Sequence, residues 1–122
     1  MIGANGPRML RIALPHVDAW NTWYARYGNT VEGFAKESAG IDAFCAELGR
    51  EPREITRSAC VLVTVDGGAG ERPHDVPPVD LSNLPAHLHG LAEAGASEAI
   101  LVIDPITTES VAAIGMARGL SE

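Results

Sequence analysis

The residues with the most chemical promise stand at the front of the chain. Gly3, Ala4, Asn5, Gly6, Pro7 and Arg8 place two glycines, a proline and an arginine directly before an apolar periodic segment. Glycines let backbone amides approach a ligand closely, a helix opening at Pro7 turns its positive end toward the run, and Arg8 adds a cation. Together these are the parts of a phosphate cradle. The same Gly-Asn-Gly-Pro run also makes an ordinary turn before a helix, and residue types alone leave both readings open.

Other chemistry-bearing residues are scattered. Trp20, Asn21 and Trp23 fall at the mouth of a short strand, where aromatic faces can flank a planar ring. Equally, Trp20 can be core, Trp23 a cover for a helix end and Asn21 a turn former. Asp104 closes a strand before Pro105, a place for a general base or for the cap of the next turn. His87 and His89 lie two apart on an expected helix, whereas helical metal ligands stand three or four apart, and His74 is remote in sequence, so no metal site is expected. Cys45 and Cys60 lack C-x-x-C spacing and sit among apolar neighbours, as small core residues do. No constellation of acid, base and nucleophile emerges.

These residues need elements to hold them. After Pro7, the residues Met9, Leu10, Ile12, Ala13 and Val17 recur at helical spacing, and Pro15 followed by Asp18 predicts a turn into a short buried strand ending near Asn21. Asn29 with Glu32 predicts a capping box for a helix that carries Val31, Phe34, Ala35, Ile41, Phe44, Cys45 and Leu48 on one stripe and stops at Gly49. Residues 58–65 form an uninterrupted apolar, β-branched run, the pattern of a strand covered on both faces. Residues 66–78 carry Gly, Pro and charge with no period and are expected to form a mobile loop. Ser82 or Asn83 is expected to cap a helix with Leu84, Leu88, Leu91 and Ala92, ended by Gly95. A second continuous strand spans 99–103. Thr107 or Thr108 then caps a last helix with Val111, Ile114 and Met116, stopped by Gly119.

Helix and strand therefore alternate, and non-alternating strands in such an order predict an α/β fold with a parallel sheet and right-handed crossovers. In such sheets sites form in the loops after the strands' C-terminal ends, so residues 3–8, 21–27, 66–78 and 104–108 share one face. Three strands cannot cover their own edges, and the first helix has only Met1 and Ile2 where its preceding strand should stand. A homodimer or larger homo-oligomer is expected.

Composition sets the outer limits. With 122 residues, 46% hydrophobic and 20% charged, the chain fits one ordinary domain, residues 1–122, and is too apolar for a disordered tail. Nine Lys and Arg against 16 Asp and Glu give a net charge of −7, and the basic residues are dispersed, which argues against a nucleic-acid partner. The apolar runs fall short of the roughly 20 residues of a membrane span, and no signal peptide is evident, so a cytoplasmic protein is expected.

One resemblance joins these segments. Gly3 through Ala13, closing on Ala19-Trp20-Asn21, resembles a stretch of the luciferase-like monooxygenases, especially members that use a deazaflavin coenzyme. The run from Cys45 to Ile55, and Leu91-Ala92-Glu93-Ala94-Gly95-Ala96 before the last strand, are similar to later segments of that family. The resemblance implies parallel β/α units from the C-terminal part of an eight-stranded β/α (TIM) barrel, which runs to about 250 residues when complete. It also implies that Gly3, Ala4, Asn5, Gly6, Pro7 and Arg8 hold the phosphate of a deazaflavin coenzyme (F420) or FMN, and the place of Trp20 and Asn21 at a strand mouth makes them the candidates to flank its ring. The carry-over is direct for Gly3, Gly6, Pro7 and Arg8, whereas Ala4 and Asn5 depart from the family pattern, as do residues 66–78. The expected function is thus a segment of a flavin- or deazaflavin-dependent oxidoreductase or monooxygenase acting on a small organic substrate, the short chain by itself lacking a complete active site. The alternative is a non-catalytic half-barrel module that acts through self-association.

Overall fold

A computed structural model of the chain describes residues 6–65, 67–68 and 76–121. Its elements run α1 (Pro7–Ala13), β1 (Ala19–Thr22), α2 (Tyr24–Tyr27), α3 (Val31–Leu48), a 3₁₀ turn (Pro52–Glu54), β2 (Thr56–Thr64), β3 (Val79–Asp80), α4 (Leu84–Glu93), β4 (Glu98–Asp104) and α5 (Thr108–Ser121). Every strand pairing is parallel, so the expected α/β class with a parallel sheet is what the chain forms.

The central strand is β2. From Arg57 to Thr64 every residue is buried, which accounts for a run with no polar alternation. On one side β4 pairs along it from Ser58↔Glu98 to Thr64↔Asp104. Its other side is shared: β1 takes Thr56 to Ala59, and β3 takes Val63 and Thr64. The lanes thus follow chain order, β1 then β2 then β4. Right-handed crossovers between successive lanes that always advance in one direction put the helices on one face. The packing agrees, with α1 on α3, α3 on α4, and α4 on α5. This is a segment of barrel wall rather than a doubly wound sheet.

Between β1 and β3, β2 has no strand beside it, and side chains fill the gap. The Tyr27 hydroxyl donates to the Cys60 carbonyl at 2.8 Å. Asn29 donates from Nδ2 to the Leu62 carbonyl at 3.0 Å and accepts from the Leu62 N–H at 3.0 Å, reproducing a strand's pair of ladder bonds. Its Nδ2 also reaches the Pro77 carbonyl at 2.9 Å, tying down the segment that returns to β3. Asn29 sits at φ +57°, a left-handed conformation that asparagine tolerates better than other non-glycine residues.

That geometry corrects the expected cap. Thr30, not Asn29, is the N-cap of α3, its Oγ1 accepting from the Gly33 N–H at 3.0 Å. A Cβ on Gly33 would lie 1.8 Å from the Tyr27 carbonyl oxygen, so glycine there lets α3 start hard against the end of α2. Gly49, at φ +71°, and Gly95, at φ +106°, end their helices as expected. Two further points differ. Asn83 occupies the N-cap of α4 without a side-chain bond, and Asp80 does that work, accepting from the Asn83 N–H at 3.0 Å and the Ser82 hydroxyl at 2.6 Å. Gly119 does not stop α5, which runs on to Ser121. Most of the loop expected over 66–78 lies outside the described residues.

Candidate functional site

Parallel strands point their C-terminal ends toward one rim, and α1 runs back against that direction. Its far end lies at the opposite one, where the Leu14 carbonyl accepts from Arg50, just beyond the end of α3, at 2.8 Å. Gly6 is the N-cap of α1, at φ −71° and ψ 139°, with no side chain capping the helix. Its carbonyl accepts from the Leu10 N–H at 3.0 Å. Arg8, at the second position of the helix, is exposed. Gly3, Ala4 and Asn5 lie outside the described residues.

The conformation at Gly6 bears on what the glycine is for. Its φ is one that any residue adopts, and an added Cβ would meet nothing within 4 Å. Packing and backbone therefore do not demand glycine here. What remains, among the described residues, is a helix start that lacks a side-chain cap, beside a cation, the kind of place where an anion is stabilised.

The structure separates the three residues that sequence groups at the strand mouth. Trp20 is fully buried and points into the helix layer, its ring 6.2 Å from that of Phe34. Enclosed between β1 and α3, Trp20 takes the core position that is the other reading of this residue. Trp23 is the exposed one, at 45%, lying against Tyr24.

Asn21 alternates to the opposite face, the one that turns inward in a barrel. It donates to the Ser58 hydroxyl at 3.1 Å, and the Ser58 hydroxyl donates to the Glu98 carboxylate at 3.0 Å. Register places all three side by side across the sheet. Cys60, two residues beyond Ser58 on the same face, lies 3.4 Å from the Asn21 amide. Ser58 and Glu98 were not evident as partners of Asn21, because cross-strand neighbours are fixed by register, and register has no local signature.

Among the remaining candidates, Asp104 is fully buried at the end of β4, and its backbone carbonyl accepts from the Val65 N–H at 3.1 Å. Thr107 caps the helix after it, its Oγ1 accepting from the Ser110 N–H at 3.1 Å. His89 pairs with Glu93 at 3.0 Å on the surface of α4. His87 turns inward, its Nε2 buried without a hydrogen bond, and burial holds its pKa below the usual histidine range against the pull of Glu32. No group of three or more His, Cys, Asp or Glu is placed to hold a metal ion among the described residues. Cys45 and Cys60 are both free thiols, and burial pushes the Cys45 thiol up. No helix among the described residues is long and apolar enough to cross a membrane.

No protein-family model matches the chain, and no curated protein matches it in sequence. Solved structures do match in fold. The F420-dependent tetrahydromethanopterin reductase of Methanopyrus kandleri superposes over 98% of this chain with a TM-score of 0.62 at 16% identity. An F420-dependent secondary alcohol dehydrogenase, solved with an F420-acetone adduct, superposes over 93% with a TM-score of 0.56 at 13% identity. The chain spans about half the length of each, 48% and 47% respectively. Similarity at this identity speaks for the fold.

Proposed function

We propose that this chain is the C-terminal part of a luciferase-like barrel oxidoreductase that uses a deazaflavin coenzyme, and that its contribution is the anchor for the coenzyme's phosphate. The observation that carries the reading is the start of α1. It is a helix N-terminus that faces the same way as the strands' C-terminal ends, with no side-chain cap, no described atom within 4 Å of a Cβ at Gly6 and an exposed Arg8. Such a place suits a phosphate. The choice of F420 for this reading follows the two structural neighbours, both F420-dependent enzymes by name.

The coenzyme, when bound, supplies hydride transfer to or from a small organic substrate. The chain's own residues bind and position. Gly6 leaves room for the phosphate, the amides of the first turn of α1 and the Arg8 guanidinium donate to it, and Gly3, Ala4 and Asn5 belong to the same loop in this reading. Asn21, held by Ser58 and Glu98, presents an amide on the inward face of the wall. Trp20 serves by packing β1 onto α3. A chain of net charge −7 acting on small molecules in the cytoplasm has no call for nucleic acid.

The test is an NMR titration of the chain with inorganic phosphate, FMN and the F420 coenzyme. Because most of the ring's cover belongs to the rest of a barrel, millimolar binding is expected, about 4 kcal/mol. The amides of Gly6, Arg8 and Met9 should move most, and Arg8→Ala should abolish much of the shift. Amides that stay still at saturating F420, or shifts that are equal in wild type and Arg8→Ala, would overturn the reading.

A further inference from the structure

One titratable ring is enclosed in the helix layer without a partner. His87 lies on the face of α4 that carries Leu84 and Leu91, three residues before it and four after, and both leucines are buried. Its Nε2 is shut away from solvent without a hydrogen bond. That face meets α3, and the two helices come close there: a Cβ on Gly90, three residues beyond His87, would lie 2.9 Å from a methyl of Val31.

The charges on the surrounding elements do not provide for the ring. On α3, Glu32 is the one charged group that acts on His87, and its attraction for a proton there falls short of the cost of burial. On β3, the Asp80 carboxylate is engaged by the Ser82 hydroxyl and the Asn83 N–H. On α5, Glu109 is exposed, and on α4 itself His89 and Glu93 pair with each other at the surface. None of these bonds Nε2. The helix is also lightly tied to the sheet. The strand that leads into it, β3, pairs with β2 through two residues only, Val63↔Val79 and Thr64↔Asp80. The Pro77 carbonyl, held by Asn29, marks one boundary of this unit, and Gly95, at φ +106°, marks the other.

We infer that β3 and α4 form an acid-opened flap, bounded by Pro77 and Gly95, in which proton uptake by His87 favours a state with α4 off α3 and the ring in water. The direction follows from linkage. Burial disfavours the charged ring more than Glu32 favours it, so a proton binds the open state more tightly and draws the equilibrium toward it. The gain in opening is limited to about tenfold per pH unit, and it begins as the pH falls through 6.5, where a solvated imidazole takes its proton. Because β3 pairs at the C-terminal end of β2, opening uncovers the end of the central strand toward which sites in parallel sheets are built. The inference is independent of the coenzyme.

The experiment is native-state hydrogen exchange read by NMR on the full chain from about pH 5 to about pH 8, the range over which histidine changes charge, with each rate referred to the intrinsic rate at that pH. The His87 ring is titrated in the same samples. At the upper end of the range the α4 amides should be at least about tenfold less protected than those of β2, the mark of a unit that opens before the rest. As the pH falls below 6.5 their protection should drop, by up to about tenfold per unit. His87→Leu and His87→Gln should each abolish the drop, Glu32→Gln should deepen it, and His89→Leu should leave it as it is. Amides of α4 as well protected as those of β2 would overturn the inference. So would protection that stays flat with pH, or a drop that survives in both His87 variants.

Discussion

The gap in the central strand and the start of the first helix treat polar backbone in opposite ways. Where β2 lacks a neighbour, Tyr27 and Asn29 supply side-chain groups for Cys60 and Leu62, and Asn29 accepts a left-handed backbone to do so. Where α1 begins, no side chain caps the helix, and the residue in front of it is a glycine that the backbone does not require. Buried amides left unpaired cost about 1–3 kcal/mol each, so a fold must satisfy the first region; the second, exposed to solvent, carries no such demand. The contrast separates residues that hold the wall from residues that the wall does not require, and substitution can test it from either side.

The largest effect belongs to the gap. Asn29→Leu removes three hydrogen bonds, strands the N–H and carbonyl of Leu62, and puts a branched side chain at φ +57°. A loss of about 4 kcal/mol is expected in urea unfolding, close to what a small domain can bear. Asn29→Gly relieves the backbone without restoring the bonds and should lose about 1 kcal/mol less. If Asn29→Leu cost under about 1 kcal/mol, the region would not be the keystone described, and the contrast would collapse.

Between the two extremes lies His87, a buried nitrogen that the fold leaves without a partner. Burial lowers its pKa in the folded chain below the 6.5 of an unfolded histidine. Below that pH the unfolded chain therefore takes up the proton more readily than the folded one. Stability associated with neutral His87 is complete above pH 6.5 and is lost as the pH falls toward the depressed folded value. His87→Leu should flatten this acid-side decline in thermal unfolding scans and, by removing an unpaired polar atom, raise stability at neutral pH. An unchanged slope would assign the acid sensitivity to other groups. The effect should be smaller than that of Asn29→Leu, because His87 is only half-buried.

How much of this was legible in the sequence depended on the range of the interaction. Apolar runs and glycine stops are local, so β2, α3 and β4 and the ends at Gly49 and Gly95 could be read directly. Asn29 could not. Asn followed three residues later by Glu32 fits a capping box as well as Thr30 fits an N-cap, and only the neighbouring strand decides that Asn29 belongs to β2 instead. The two residues of β3 are too few to show a period. Trp20 and Trp23 differ by three positions in a chain that passes there from strand to helix, so which of them is enclosed depends on the face of β1 that α3 covers. The start of α1 was legible as a helix start, but its residue types fit a turn and a phosphate loop equally.

Gly6→Val addresses that last ambiguity from the weak end of the scale. A valine at position 6 meets no atom within 4 Å at its Cβ, and φ −71° with ψ 139° is extended backbone in which β-branched residues are at ease. The fold should register the change by no more than about 0.5 kcal/mol, the range of an ordinary surface substitution. Glycine at position 6 would then be dispensable to the wall, and any other consequence of replacing it must come from what approaches the helix start from outside. If the space in front of α1 receives a phosphate, the valine methyls occupy it, and the shifts of the Arg8 and Met9 amides with F420 or inorganic phosphate should fall at least as far as they do in Arg8→Ala. Unchanged stability with lost binding would mark Gly6 as a ligand residue. Unchanged stability with unchanged binding would make the start of α1 a plain turn, leaving Asn29 and its neighbours as the only place in this comparison where the chain has committed polar side chains to a task.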